Sequence, residues 1–273
     1  FDLAAGTGIT LSGHLTANPT FTGTLANLNT YFNTPSNIHY VPAANVNGTG
    51  AATITIKAND NGNTGTGGGT TITLGTINVN ITSVNDAPLL SGGPYTFSAI
   101  AAGVTSSAVS VSTILAGLTY SDVDAGAQSG IAVTALSGGG IWQYSTDGTN
   151  FYSVGTVSGS SALLLSSTSQ LRYNNPLATE TASLTFRAWD RTIGTATSGT
   201  TKITGDVTTN GGSSAFSSGT AEAQISVTAQ PAITSAAYDA STGVLAVTGT
   251  DFTANGSGAG VDVSKLTLTG EGG

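Results

Sequence analysis

Oxygen-bearing side chains gather at two places in this sequence. Ser83-Val84-Asn85-Asp86-Ala87-Pro88 sets Asn85 and Asp86 after an alternating run of Ile72, Leu74, Ile77, Val79 and Ile81, and before a new segment at Tyr95 and Phe97. Tyr120-Ser121-Asp122-Val123-Asp124-Ala125-Gly126 adds two carboxylates soon after. Acids and an amide at a join between β-domains suit a hard cation, because calcium takes six to eight oxygens from carboxylates, amides and carbonyls. The alternative is that these Asp and Asn side chains cap turns and satisfy loop N–H groups. Against it, acids that converged without a cation would repel one another.

The elements that must position these groups read as strands. Pro88 lacks an N–H and holds Ala87 extended, so the chain leaves one sheet without a tight turn. Before it, strands are expected at Ile9–Leu11, Thr20–Thr22, Ile38–Val41, Ala52–Ala58 and Thr70–Val84, with a bulge at Gly75. Leu25–Phe32 spaces its apolar residues as a short helix. After it, strands are expected at Tyr95–Ser98, Ala108–Leu115, Gly130–Leu136, Trp142–Ser145, Phe151–Val154, Ala162–Leu165, Gln170–Tyr173, Ala182–Trp189, Thr200–Val207 and Glu222–Val227. Gln230-Pro231 marks a second join, without acids, before strands at Ile233–Tyr238, Val244–Thr248 and Lys265–Thr269. The expected fold class is all-β, with units at 1–84, 85–230 and 231–273. An internal repeat supports the first two: Leu184-Thr185-Phe186-Arg187-Ala188-Trp189-Asp190 aligns with Ile54-Thr55-Ile56-Lys57-Ala58-Asn59-Asp60.

The order Ala58-Asn59-Asp60-Asn61-Gly62, then Val84 to Pro88, then Asp122 to Gly126 resembles the bacterial cadherin-like repeats of large surface adhesins. Their pattern is A-x-D-x-G, V-N-D-A-P, D-x-D-A-G. The likeness covers most of residues 1–230, and 231–273 looks like the opening of an immunoglobulin-like module. The resemblance implies tandem Ig-like or cadherin-like β-sandwiches in an elongated array. It also implies that Asp122 and Asp124 supply carboxylates to calcium, Asn85 a carbonyl, Asp86 a shared carboxylate, and Asp190 a ligand from the far strand. Ser83 stands where a linker aspartate would be, and Tyr40-Val41-Pro42 has no acid, so one ion or two are expected, not three.

Composition excludes several functions. Only 7% of residues are charged and the net charge is −8, with six Lys and Arg in 273 residues. A basic face for nucleic acid or anionic membrane is therefore missing. There is no Cys, so neither a disulfide framework nor a thiolate site is available. No apolar run approaches the roughly 18 residues of a membrane span. A start at Phe1 and an end just beyond Leu266-Thr267-Leu268 lead us to expect ends internal to a longer polypeptide. The first and third units would then lack strands that the same polypeptide, or a neighbouring subunit in a fibre, would provide.

Ile141-Trp142-Gln143-Tyr144-Ser145-Thr146-Asp147-Gly148 and the following Phe151-Tyr152 read as a hairpin about an Asp-Gly turn. Trp142, Tyr144, Phe151 and Tyr152 are either a glycan-stacking platform or the alternating core and rim of that hairpin; the second reading is favoured. Catalytic motifs are lacking. His14 and His39 stand apart, and no G-x-S-x-G elbow is present. Asp122 and Asp124 would make a glycosidase pair only with a carboxylate facing them across a cleft. Lys57 and Lys202 on strands raise an isopeptide cross-link, which needs a buried acid the sequence does not reveal. Asn47, Asn80 and Asn255 match N-x-[ST], a pattern common by chance in a chain this rich in Asn and Thr.

The expectation is a non-enzymatic, extracellular segment of a bacterial surface protein. It would act as a stalk or filament, with calcium and neighbouring domains or subunits as its partners. A glycan- or protein-binding adhesive module is the alternative.

Overall fold

The computed structural model describes residues 1–63, 69–174 and 176–251. The chain is all-β, with several sheets and two short helices. It divides into two compact units, Phe1–Val84 and Asn85–Gly273. No described helix is long and apolar enough to cross a membrane.

In the first unit, three two-stranded sheets surround little core. Asp2–Leu3 pairs with Ile38–His39, Ile9–Ser12 with Thr20–Gly23, and Gly48–Ala58 with Ile72–Ile81. The helix Leu25–Phe32 forms where its spacing placed it. Thr24 caps it by accepting from the Asn27 N–H at 3.3 Å, which satisfies a donor that the first helical turn leaves free. Tyr31 is buried, and its hydroxyl lies 2.8 Å from the Ala4 carbonyl and 3.0 Å from that of Asn37. The long ribbon places Ile54 opposite Ile77 and Ala52 opposite Val79, and its register shifts where Ile56 faces Gly75, at the expected bulge. Ile56, Ile72 and Ile77 on this ribbon stay exposed.

The second unit carries the large core. A seven-stranded sheet runs Thr204–Gly205, Ala162–Ser166, Gly130–Leu136, Glu180–Trp189, Ala221–Thr228, Tyr95–Thr96, with Ile100–Ala101 also on Ala221–Thr228. A four-stranded sheet runs Val109–Ser110, Gln170–Asn174, Ile141–Ser145, Tyr152–Ser153. Ile131, Val133, Leu163, Leu165, Leu184 and Phe186 from the first sheet share one core with Trp142, Tyr144, Leu171 and Tyr173 from the second. Ala132, Ala162, Leu164 and Trp189 point the other way and are covered by Val207, Ala215 and Phe216. Burial on both faces is why Ile131-Ala132-Val133 and Leu163-Leu164-Leu165 are unbroken apolar runs instead of alternating ones.

Two expected strands are corrected. Ala108–Leu115 splits into the strand Val109–Ser110 and the helix Val111–Ala116. Ser110 Oγ accepts from the Thr113 N–H at 3.1 Å and starts a helix whose Val111, Ile114 and Leu115 are all buried. The capping serine and the three- and four-residue spacing outweigh the β-branched run. Thr200–Val207 keeps only Thr204–Gly205 as a strand. Ala232–Asp239 and Val244–Thr250 form an antiparallel ribbon as expected. Lys265–Thr269 and Asn255 lie outside the described residues.

Candidate functional site: the Asn85–Asp86 join

Register assembles the site. The strand Leu89–Ser91 pairs with Thr119–Ser121, with Leu89 opposite Ser121. Residues just before Leu89 and just after Ser121 therefore emerge at the same end. Glu180–Trp189 reaches that end too and delivers Asp190 as it leaves the sheet. All five residues singled out for metal binding are linked here directly or through a neighbour. Asn85 Nδ2 donates to Asp190 Oδ2 at 2.8 Å and to the Ser214 carbonyl at 3.1 Å. The Asp86 N–H donates to Asp124 Oδ2 at 2.8 Å, and the Asp124 N–H to Asp122 Oδ1 at 2.9 Å.

Asp190 is only 2% exposed. Thr192 holds its Oδ1 through a backbone N–H at 2.8 Å and a hydroxyl at 2.6 Å. A carboxylate this deep needs such donors, because an unsatisfied buried charge is costly. Asp122 is the opposite case. Its Oδ2 is buried and has no hydrogen-bond partner among the described residues. Burial first, then the charges of Asp124, Asp190 and Asp86, raises its carboxyl above the ordinary value, while the Asp124 N–H pulls it down. Tyr120 is raised as well, by burial and then by Asp122 and Asp190.

The donor set is all oxygen, and one buried carboxylate atom is free. That chemistry fits a hard divalent cation. As the side chains stand, no group of three or more acids or histidines among the described residues is arranged to enclose an ion. Asn85 turns its NH₂ toward Asp190, an orientation chosen by the hydrogen-bond network. An ion at Asp190 Oδ2 would require Asn85 to present its oxygen instead.

Three contributors were not foreseen in the sequence: the Ser214 carbonyl, the Thr192 side chain and the Gly212 carbonyl, which accepts from the Ala87 N–H at 2.8 Å. Gly211-Gly212-Ser213-Ser214 reads only as a loop. Its proximity comes from the long excursion after Asp190, which sequence spacing does not encode.

The aromatic hairpin is placed as core and rim. Trp142 and Tyr144 are 3% and 0% exposed. Trp142 packs on Tyr173 at 4.9 Å and on Phe97 at 5.7 Å between ring centroids, and its indole N–H donates to the Ser137 carbonyl. Tyr144 sits beside Tyr152 and donates to the Gly199 carbonyl. Phe151 is half-buried under the Arg172 guanidinium, 3.7 Å from the ring centroid. Neither Trp142 nor Tyr144 keeps a free face for a sugar. A cavity of about 240 Å³ beside Trp142, lined also by Ser137, Gly138 and Ser153, is smaller than the roughly 300 Å³ at which ligand clefts begin.

The remaining candidates do not form sites among the described residues. His14 Nδ1 lies 3.8 Å from Asp2, and His39 Nε2 3.1 Å from the Ser36 carbonyl. Lys202 Nζ donates to the Val154 carbonyl, and Lys57 is exposed. Asn47 and Asn80 are exposed. No family model matches the chain, and neither a curated protein nor a solved structure matches it.

Proposed function

We propose that this chain is a non-catalytic structural segment, a stalk or filament piece of an extracellular bacterial surface protein, with a calcium-responsive join at Asn85–Asp86. The observation that carries the reading is the attachment of Asn85 to Asp190 and of Asp86 to Asp124, which ties the linker onto the second unit. When bound, calcium would supply the positive charge that lets Asp86, Asp122, Asp124 and Asp190 stay close. Asp122 Oδ2, Asp190 and Asp124 would hold it, with Asn85 contributing its carbonyl. Fixing the linker removes freedom that a bare Ser-Val-Asn-Asp segment has, and ligand binding to the folded state adds to its stability. The join near Gln230–Pro231 has no acids and no such response.

Small-angle scattering of the intact chain, with millimolar calcium and then with chelator, tests this. A narrower spread of shapes with calcium is expected. Superimposable profiles, together with an unchanged melting temperature, would remove calcium from the reading. Burial of Trp142 and Tyr144 weighs against the rival adhesive module.

A further inference from the structure

We infer that the second unit contains a tension-bearing clamp, formed where two early strands run parallel to Ala221–Thr228, the last strand of its large sheet. Tyr95–Thr96 and Ile100–Ala101 both pair in parallel with Ala221–Thr228, with Tyr95 opposite Ala223 and Ala101 opposite Thr228. Every other strand pair among the described residues is antiparallel. Backbone bonds close the seam: the Phe97 N–H donates to the Gln224 carbonyl at 2.8 Å, and the Ala102 N–H to the Thr228 carbonyl at 2.9 Å. The Thr228 hydroxyl adds a bond to the Ile100 carbonyl at 3.3 Å.

The consequence is geometric. Tension along the chain pulls the entering segment backward from its N-terminal side and the leaving strand forward from its C-terminal side. In a parallel pair those two pulls slide the strands along each other, so all the cross-strand bonds are loaded together and must fail together. The Ala232–Thr250 ribbon is the internal contrast. Ala232 faces Thr250, so tension applied at its two ends opens it one pair at a time from that end. The seam is also backed by packing, because Phe97, Ala223, Ile225 and Val227 are buried in the main core. Outboard of it, the hydrogen bonds of Asn85, Asp86 and Ala87 and then Leu89–Ser91 on Thr119–Ser121 take load first, and the clamp holds after these short contacts yield. The clamp does not depend on an ion at Asn85–Asp86 and stands whether or not the proposed function does.

The cysteine-free chain allows pulling points to be chosen at will. Val84→Cys with Gln230→Cys loads the clamp in shear. Val104→Cys with Gln230→Cys pulls from the same end of the parallel pair and peels it. Val84, Val104 and Gln230 are all exposed, so neither pair of substitutions disturbs packing. Single-molecule force spectroscopy of the intact chain, in chelator, is expected to give a several-fold higher unfolding force for the first pair. Equal forces along both directions, or a lower force for the first, would overturn the clamp. Because calcium is absent, neither result bears on the metal.

Discussion

Asn85 Nδ2 and Asp190 Oδ2 meet at 2.8 Å across 105 residues of sequence. The contact joins the first residue of the second unit to the end of its longest strand. It also gives a buried carboxylate a neutral donor when no cation is present. Asn85→Ala should therefore destabilise the chain in chelator and also shrink the rise in stability that calcium brings, because the ion loses a carbonyl. Leaving Asp190 Oδ2 without its side-chain donor costs about 1–3 kcal/mol. Urea unfolding in the two conditions checks this; an equal loss in both would show that Asn85 acts independently of any ion.

Asp122 gives a pH signature. Its folded-state pKa is raised, so its contribution is fully present below the unfolded value of about 3.9 and is lost as the pH climbs through the raised value. Without divalent cations, melting temperature should fall across that window by an increment that Asp122→Asn abolishes. In chelator at neutral pH the Asn variant should melt higher than the parent chain. In millimolar calcium the order should reverse, since extracellular modules bind at roughly 10⁻⁴–10⁻³ M. The same order of melting temperatures in both conditions would contradict a metal role.

Tyr173 predicts the alkaline limit. Burial first, then its hydrogen bond to Glu180 at 2.6 Å, pushes its phenol up to about 12. A raised pKa contributes stability below the ordinary value near 10, and that stability drains away as pH rises from there toward the folded value. Glu180 moves the other way, below its usual range, held by Tyr173 and the Gly139 N–H. Tyr173→Phe should flatten the loss of stability between pH 10 and 12, read by circular dichroism. Because the hydroxyl also accepts from the Gly140 N–H, the variant should start from a lower stability at neutral pH.

Phe216 is the test of the second core. It is 6% exposed and seals Trp189 and Leu164 from the outer side. Phe216→Ala should cost about 3–5 kcal/mol. Limited proteolysis should then cut first between Asp206 and Gly219. A variant as stable as the parent would mean that the loop lies on the sheet without bearing on it.

Much of this was legible because local rules and tertiary structure agree. Leu25–Phe32 carried helical spacing with a threonine before it, and Gly130–Leu136 carried a strand's composition; both formed within those bounds. The gathering of Asn85, Asp86, Asp122, Asp124 and Asp190 at one end was expected only from the resemblance of their motifs to a known repeat, since lying beside a strand terminus does not by itself say which acids share an end. Val111–Ala116 was misread because Val, Thr and Ile favour strands on average, whereas one serine cap and one buried stripe decide the local outcome. Ser214 and Gly212 were not foreseen, because a loop's destination depends on which sheet face needs covering, and Leu164 and Trp189 set that need from far away in sequence.

The seven-stranded sheet ends in Thr204–Gly205 on one side and Tyr95–Thr96 on the other, each only two residues long. Units of similar sequence held side by side are the most dangerous neighbours for each other, because any free backbone edge fits its own copy. Edges this short offer almost no template for adding a foreign strand. The large sheet can thus meet its own copies without adding strands at its margins, whereas the Ala232–Asp239 and Val244–Thr250 ribbon keeps longer, exposed edges.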